Sequence, residues 1–200
     1  MIGVALCGGQ STRMGTDKGL LMQNDLTWVD IAVSKLSSLQ IPVVVSVNKN
    51  QVDIYAKRIS VSQLIVDHGN ISVKGPLLGI LSAHQQFPNE DLMVLACDMI
   101  DMTTILLQGL LNFYKEGSHE AYVYTINDKP ESLCAIYTSK GLKRIFDLHH
   151  QKKLERFSMM YVLECIATDY ISLGDSSSKF FANYNSAEDL FKNEFNPPNE

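Results

Sequence analysis

Short apolar runs alternate with segments of helical periodicity through the first half of the chain. Each run is bounded by turn residues, a pattern typical of fully buried strands in a mainly parallel sheet. The predicted strands are Ile2–Leu6, Val43–Val47, Leu64–Val66 and Leu92–Cys97. Between them, apolar spacing predicts helices over 28–39, 51–58 and 77–87, the last with Pro76 at its first position. This alternation predicts an α/β fold.

The second half alternates less regularly. Two predicted strands, Tyr122–Ile126 and Ser132–Tyr137, flank a turn-rich segment at 127–130, which indicates antiparallel or irregular pairing. The other predicted elements are helices over Thr103–Tyr114, Lys140–His149 and Lys153–Cys165, a strand over Asp169–Leu173, and a final helix that begins at Ser186 and is capped with Asp189. The sheet is therefore expected to be mixed, within one compact domain over residues 1–200.

The amino-acid composition indicates which classes of binding partner to expect. The chain has 200 residues, 46% of them hydrophobic, and a formal net charge of −5 without a long basic run. That balance argues against a nucleic acid or an anionic membrane as the main partner. No apolar stretch approaches the roughly 18 residues of a membrane span, and no basic leader precedes the first strand. We therefore expect a cytoplasmic protein.

The cysteine and histidine residues give little indication of a metal-binding or catalytic site. Cys7, Cys97, Cys134 and Cys165 each sit in an apolar run, and no Cys-x-x-Cys pair occurs. We expect free, buried thiols. No histidine receives a catalytic role.

A glycine-rich, basic segment follows the first predicted strand. Gly8 and Gly9 allow close backbone approach, successive amides can form an anion-binding concavity, and Arg13 and Lys18 add positive charge. The spacing fits neither a Walker loop nor the dinucleotide Gly-x-Gly-x-x-Gly fingerprint. The segment is therefore predicted to be a phosphate-binding loop of another kind.

Carboxylates stand at two further strand ends. Asp67 follows the third predicted strand and Asp98 follows the fourth. Ligands of open α/β sheets bind beyond the carboxyl ends of the strands. Magnesium usually takes one or two carboxylates together with phosphate oxygens and waters. A phosphate loop beside Asp98 therefore suits magnesium-assisted phosphoryl chemistry, although an aspartate at a strand end is also a common turn or cap residue.

Four motifs in order resemble one family. The segment from Gly8 to Leu21, Gly-Gly-x-Ser-x-Arg-Met-Gly followed by Asp-Lys-Gly-Leu-Leu, resembles nucleotidyltransferases and, among them, the molybdenum cofactor guanylyltransferases. The other matching segments are Gly75–Ile80, Leu95–Met99 and Phe181–Leu190. The match spans Leu6 to Leu190 and is diffuse over 114–180.

The resemblance implies a three-layer, Rossmann-like nucleotidyltransferase fold with a mixed, mostly parallel central sheet, and it assigns site residues. It makes Arg13, Lys18 and Asp98 catalytic, with Asp98 binding Mg²⁺. It implies Asn183 and Asn185 as acceptor-binding residues. The nucleotide-binding residues implied are Leu6, Cys7, Gly8, Gly9, Arg13, Lys18, Ser46, Asp67, Gly75, Gly79 and Asp98.

The implied reaction transfers GMP from GTP to molybdopterin or Mo-molybdopterin and releases pyrophosphate. Other enzymes that make or accept the cofactor are the implied protein partners. Three departures from the family pattern concern Ile100, where a proline is usual, the Ser46/Asn48 region, and the segment around Pro130. The open alternatives are a related nucleotidyltransferase that uses CTP or a sugar-phosphate acceptor, and a non-catalytic nucleotide-binding protein.

Overall fold

The structure of the chain, a computed structural model, describes residues 1–8 and 17–184. Gly9, Arg13, Asn185 and the predicted helix at Ser186 lie outside the described residues. The strands are β1 (Ile2–Leu6), β2 (Met22–Gln23), β3 (Leu26–Thr27), β4 (Val43–Val47), β5 (Leu64–Val66), β6 (Leu92–Ala96), β7 (Ala121–Ile126), β8 (Lys129–Tyr137) and β9 (Thr168–Leu173). The helices are α1 (Trp28–Ser37), α2 (Val52–Tyr55), α3 (Pro76–Gln86), α4 (Thr104–Glu116), α5 (Ser139–His150) and α6 (Met159–Cys165).

Seven strands form one sheet in the order β5-β4-β1-β6-β8-β7-β9. The pairs β5–β4, β4–β1, β1–β6 and β7–β9 are parallel, whereas β8 runs antiparallel to both β6 and β7. The mixed, mostly parallel sheet predicted from the sequence is therefore confirmed.

Helices cover both faces of this sheet. Along β1, Val4 belongs to an apolar cluster with residues of α3, α5 and α6, whereas Ala5 belongs to a separate cluster with residues of α1 and α4. Both side chains are completely buried. Successive side chains of a strand point to opposite faces, so a strand buried on both faces appears in the sequence as a continuous apolar run. The predicted three-layer architecture is confirmed.

Side-chain caps fix the beginnings of several helices. Thr27 and Asp30 form a reciprocal capping box at the start of α1. Thr103 accepts a hydrogen bond from the amide of Leu106 at 3.3 Å, and Thr138 accepts one from the amide of Gly141 at 3.1 Å. These bonds satisfy amides that have no partner within the helix.

The prediction of one helix over Lys153–Cys165 is wrong in its first half. After α5 the chain turns at Lys152, which has a φ of 56°. The amides of Lys153 and Leu154 then donate to the Leu148 carbonyl at 2.8 and 3.2 Å. These two hydrogen bonds give the Leu148 carbonyl, near the end of α5, its partners. They also prevent the chain from continuing as a helix just after α5. The next helix, α6, begins where the Ser158 hydroxyl accepts from the amide of Tyr161.

Two shorter predictions also change, and one small element was missed. The two turn residues Asn127 and Asp128 both have positive φ, so β8 begins at Lys129 rather than Ser132. The helix predicted over 51–58 is a single turn, α2. The small β2–β3 hairpin was not predicted.

No helix in the described segments has the length and apolar character needed to cross a bilayer.

The four cysteines carry free thiols. Three of them are buried as expected. Cys165 is only half-buried, because it lies in the last turn of α6.

Candidate functional site

The carboxyl ends of β1, β4 and β6 meet at one edge of the sheet. The Cys7 amide donates to the Ser46 carbonyl at 3.0 Å, and the Cys97 amide donates to the Leu6 carbonyl at 3.1 Å. From β1 the chain proceeds outward through β4 and β5, then returns to β6 on the other side of β1. Ligands of open α/β sheets bind at this kind of topological switch point.

A cavity of about 750 Å³ opens at this edge. Its volume is typical of a small-molecule site. The lining includes six residues that the sequence assigned to nucleotide binding, namely Leu6, Gly8, Ser46, Asp67, Gly75 and Gly79. These residues come from four separate stretches of the chain, so the fold gathers most of the described part of the predicted set into one place.

Asp67 has an unusual environment in this cavity. Its Oδ1 atom is buried and has no hydrogen-bond partner within the described structure. Burial raises the pKa of Asp67 to about 6, although the neighbouring His68 opposes this shift. Its Oδ2 atom would lie 3.6 Å from a Cβ placed on Gly8. A buried acceptor without a partner costs free energy, so this carboxyl group is suited to a ligand that brings N–H donors.

The two predicted glycines at α3 serve different purposes. A Cβ on Gly79 would lie 2.4 Å from the Ser46 hydroxyl oxygen, so the missing side chain lets α3 pack closely on β4. Ser46 is fully buried beneath it, and its hydroxyl has no partner among the described residues. Gly75 has a φ of 69°, and a Cβ there would meet nothing within 4 Å. Its positive φ, rather than crowding, favours glycine at the start of α3.

Lys18 and Asp98 form an ion pair at the same edge of the sheet. The Lys18 Nζ atom lies 3.3 Å from the Asp98 Oδ2 atom, and the two side chains are 30% and 20% exposed. The fold thus joins two predicted catalytic residues that are far apart in sequence.

The carboxylate of Asp98 suits a metal ion that takes its remaining ligands from the substrate and from water. Within residues 1–8 and 17–184, no cluster of three or more histidine, cysteine, aspartate or glutamate side chains could hold a metal ion. Magnesium needs only one or two carboxylates when phosphate oxygens and waters complete its coordination. The partly exposed carboxylate of Asp98 fits this kind of site.

The last described residues lie against the loop that follows Asp98. The Tyr184 amide donates to the Asp98 carbonyl at 3.2 Å, and the Tyr184 hydroxyl donates to Asp101. The Tyr184 ring packs edge-on against Trp28, with centroids 6.5 Å apart. These contacts place Asn183, which is exposed, next to the Asp98 loop.

A lysine holds the same loop from the other side. Lys35 of α1 donates a hydrogen bond to the carbonyl of Ile100, the residue at which the chain departs from the family pattern. Burial lowers the pKa of Lys35 to about 8, although the Asp101 carboxylate opposes this shift. The loop therefore has side-chain support from α1 and from Tyr184.

Cys7 lies beneath the site. Its side chain belongs to the core, where burial, and then the neighbouring Cys97, raises the pKa of the thiol well above its usual range. Its amide bonds to Ser46, and its carbonyl accepts from the Gln51 side chain at 3.0 Å. The raised pKa favours the protonated thiol over the thiolate, which is the nucleophilic form.

Sequence reasoning left several polar residues of the site unassigned. Asn48 and Lys49 follow β4, and Lys74 precedes α3; all three line the cavity. For Asn48 and Lys49, the available signal was their position just beyond an apolar run. Gln51 and Tyr55 bond to Asp17, the residue before Lys18. Nothing in the local sequence marked them.

Known proteins match this chain over most of its length. The model of the MobA-like NTP transferase domain matches residues 3–164. A Flavobacterium johnsoniae protein named "Probable molybdenum cofactor guanylyltransferase" is 27% identical over 185 residues, which cover 92% of each chain. A Methanothermobacter thermautotrophicus protein of the same name is 28% identical over 188 residues, covering 92% of this chain and 94% of the relative.

A solved structure shares the fold. The crystal structure of molybdopterin-guanine dinucleotide biosynthesis protein A from Archaeoglobus fulgidus superposes with a TM-score of 0.77 at 21% identity. The superposition covers 98% of this chain and 97% of that protein.

Proposed function

Because the chain belongs to the MobA-like NTP transferase domain family, we propose that it transfers GMP from GTP to molybdopterin or Mo-molybdopterin. The products are the guanine dinucleotide form of the cofactor and pyrophosphate. The observation that carries this proposal is that one edge of the sheet holds both the cavity, with the unpartnered Oδ1 atom of Asp67, and the ion pair of Lys18 and Asp98. The names of the relatives support the choice of substrates.

The cavity is proposed to hold the guanine base. Guanine carries two adjacent donors, its ring N1–H and its N2 amino group, and a carboxylate can accept from both. Asp67 has a buried oxygen without a partner in the described structure, so it is proposed to accept these bonds. Asn48, which lines the same cavity, is a second candidate for base contact.

Lys18, together with Arg13 and the loop glycines, is proposed to bind the phosphates. Asp98 would hold Mg²⁺, which, when bound, neutralises charge on the phosphate oxygens. In the proposed reaction an oxygen of the acceptor phosphate bonds to the α-phosphorus of GTP, while the α–β bridging bond breaks and pyrophosphate leaves. The attacking phosphate is already largely ionised near neutral pH, so no general base is required.

The acceptor is proposed to approach from the side of the C-terminal segment. Asn183 is exposed and lies next to the Asp98 loop, because Tyr184 bonds to that loop. Asn185, two residues further on, is proposed to share this role.

Purified protein incubated with GTP, Mg²⁺ and molybdopterin tests the function directly. We expect pyrophosphate release and a product with the mass of the guanine dinucleotide. Replacing GTP with CTP, or molybdopterin with a sugar phosphate, tests the related nucleotidyltransferase activities. Tight GTP binding without any pyrophosphate release would favour a non-catalytic nucleotide-binding protein.

The variant Asp98→Ala tests the metal-binding role. We expect turnover to fall by about a thousandfold, while GTP affinity changes much less. Asp175→Ala, an exposed aspartate on a separate segment, is the matched control and should retain turnover. Equal turnover in Asp98→Ala and the wild type would exclude the role.

A further inference from the structure

Asp17 directly precedes Lys18, the proposed phosphate-binding lysine, and several hydrogen bonds hold its carboxylate in place. Its carboxylate accepts hydrogen bonds from the Gly19 amide at 3.0 Å, from the Tyr55 hydroxyl at 2.8 Å and from the Gln51 side-chain amide. Three donors use most of the acceptor capacity of a carboxylate. Asp17 is thus committed to holding the protein chain, whereas the side-chain ion pair of Asp98 is with Lys18.

Gln51 connects three segments of the site. Its Nε2 donates to the Cys7 carbonyl at the end of β1 and to Asp17, and its Oε1 accepts from the Asn48 amide at 2.8 Å after β4. The residue is only 6% exposed. A buried amide with both ends bonded has one favourable orientation, so it fixes the relative positions of the groups that it joins.

Tyr55 adds a second contact from the same short helix. A Cβ on Gly19 would lie 2.1 Å from the Tyr55 hydroxyl oxygen, so only glycine permits this approach. Burial raises the pKa of Tyr55 far above its usual range, and the hydroxyl therefore remains a donor at neutral pH. Asp17 in turn caps the 3-10 turn Lys18–Leu20, whose first residue is Lys18.

We propose that Gln51 and Tyr55 are positioning residues that hold Lys18 against Asp98 by fixing Asp17, an inference that rests on the proposed function for its catalytic consequence. Neither residue needs to touch the substrate. Their contribution is to set the position of the lysine before the phosphates arrive. Such preorganisation acts on the chemical step more than on substrate affinity.

Two substitutions separate this role from general stability. Tyr55→Phe removes one hydroxyl, whereas Gln51→Glu replaces the donor that faces Asp17 with an oxygen. Tyr124→Phe and Gln63→Glu are the matched controls, since the Tyr124 hydroxyl donates to the Leu106 carbonyl and the Gln63 amide donates to the Val43 carbonyl, away from Asp17. All four variants are compared at a temperature where each is folded.

Steady-state kinetics give the first readout. We expect kcat to fall about tenfold in Tyr55→Phe and about a hundredfold in Gln51→Glu, with KM for GTP changed less than about threefold. The control variants should keep the wild-type kcat. The double variant Gln51→Glu with Asp17→Asn places an amide opposite the new carboxylate and should recover part of the lost kcat.

Hydrogen exchange gives a second readout that needs no activity. The Gly19 amide, which donates to Asp17, should exchange about tenfold faster in Gln51→Glu than in the wild type and in Gln63→Glu. Unchanged kcat and unchanged Gly19 exchange in Gln51→Glu would overturn the inference. If the wild type itself releases no pyrophosphate, the proposed function fails, and the exchange measurement alone still decides whether Gln51 holds this segment.

Discussion

A buried carboxyl group, Glu120, and a half-buried one, Asp67, lie at different ends of the sheet and have opposite surroundings. Glu120, just before β7, accepts from the Ala167 amide at 3.0 Å and pairs with Lys140 and Arg144 at 3.4 Å each. Burial alone would raise its pKa, but these partners lower it. Asp67 leaves a buried oxygen without a partner in the described structure, and burial raises its pKa to about 6.

This difference separates a structural acid from one that is available to a ligand. A buried carboxylate whose acceptors are satisfied contributes to the stability of the fold, because its partners replace water. A buried carboxyl without partners is unfavourable until a ligand supplies them. A carboxyl group therefore stabilises the fold at one end of the sheet, at Glu120. At the other end, at Asp67, a carboxyl oxygen is available to a ligand.

The largest expected effect comes from removing Glu120. Glu120→Ala leaves the Ala167 amide without its acceptor, so we expect the free energy of unfolding to fall by about 3 kcal/mol. Chemical denaturation measures this loss. Lys140 is 80% exposed at its side chain, so Lys140→Ala should cost only about 0.5 kcal/mol. Similar losses in both variants would contradict the structural role of Glu120.

Close packing at the cavity gives the next effect. In Gly79→Ala the new Cβ would crowd the Ser46 hydroxyl, and we expect a loss of about 2 kcal/mol in unfolding free energy. The double variant with Ser46→Ala removes the crowding atom and should recover most of that loss. If the second substitution restores nothing, the glycine is not required for packing against Ser46.

Removing the charge of Asp67 should weaken nucleotide binding. Asp67→Asn replaces one acceptor oxygen with a donor, and we expect GTP affinity to fall about tenfold at pH 7.5. Calorimetric titration checks this, with Glu120→Ala, assayed while folded, as the variant that should bind normally. Wild-type affinity should increase as the pH rises through about 6, whereas the affinity of Asp67→Asn should not. Unchanged affinity in Asp67→Asn would place the base elsewhere.

The smallest effect is the pH dependence of stability. The pKa of Asp67 rises from an ordinary 3.8 to about 6 on folding, so between these values the folded protein holds the proton more often than the unfolded chain. The contribution of Asp67 to the free energy of unfolding should therefore decrease as pH rises from 4 to 6, by about 1 kcal/mol for this half-buried group. Denaturation of wild type and Asp67→Asn at several pH values measures the difference. A constant difference across this range would show that Asp67 has an ordinary pKa.

Several elements could be predicted because their signals are local. The apolar run Ile2–Leu6 is a buried strand, and the Gly75-Pro76 pair begins α3 where it was expected. The first half of the predicted helix over Lys153–Cys165 was wrong because hydrogen bonds to the Leu148 carbonyl compete with helix formation after α5. The spacing of apolar residues alone does not reveal this competition between hydrogen bonds.

The sequence by itself determined the α/β class and the aspartates at two later strand ends, and it predicted a phosphate-binding loop after the first strand. Each of these depends on residues that are adjacent in the chain or repeat at a short period. Tertiary structure alone decided that Lys18 meets Asp98, that Asp67 keeps an oxygen without a partner in the described structure, and that Gln51 joins the ends of two strands to Asp17. The physical reason is that pairing and burial depend on which distant segments the sheet brings together, and periodicity does not record that order.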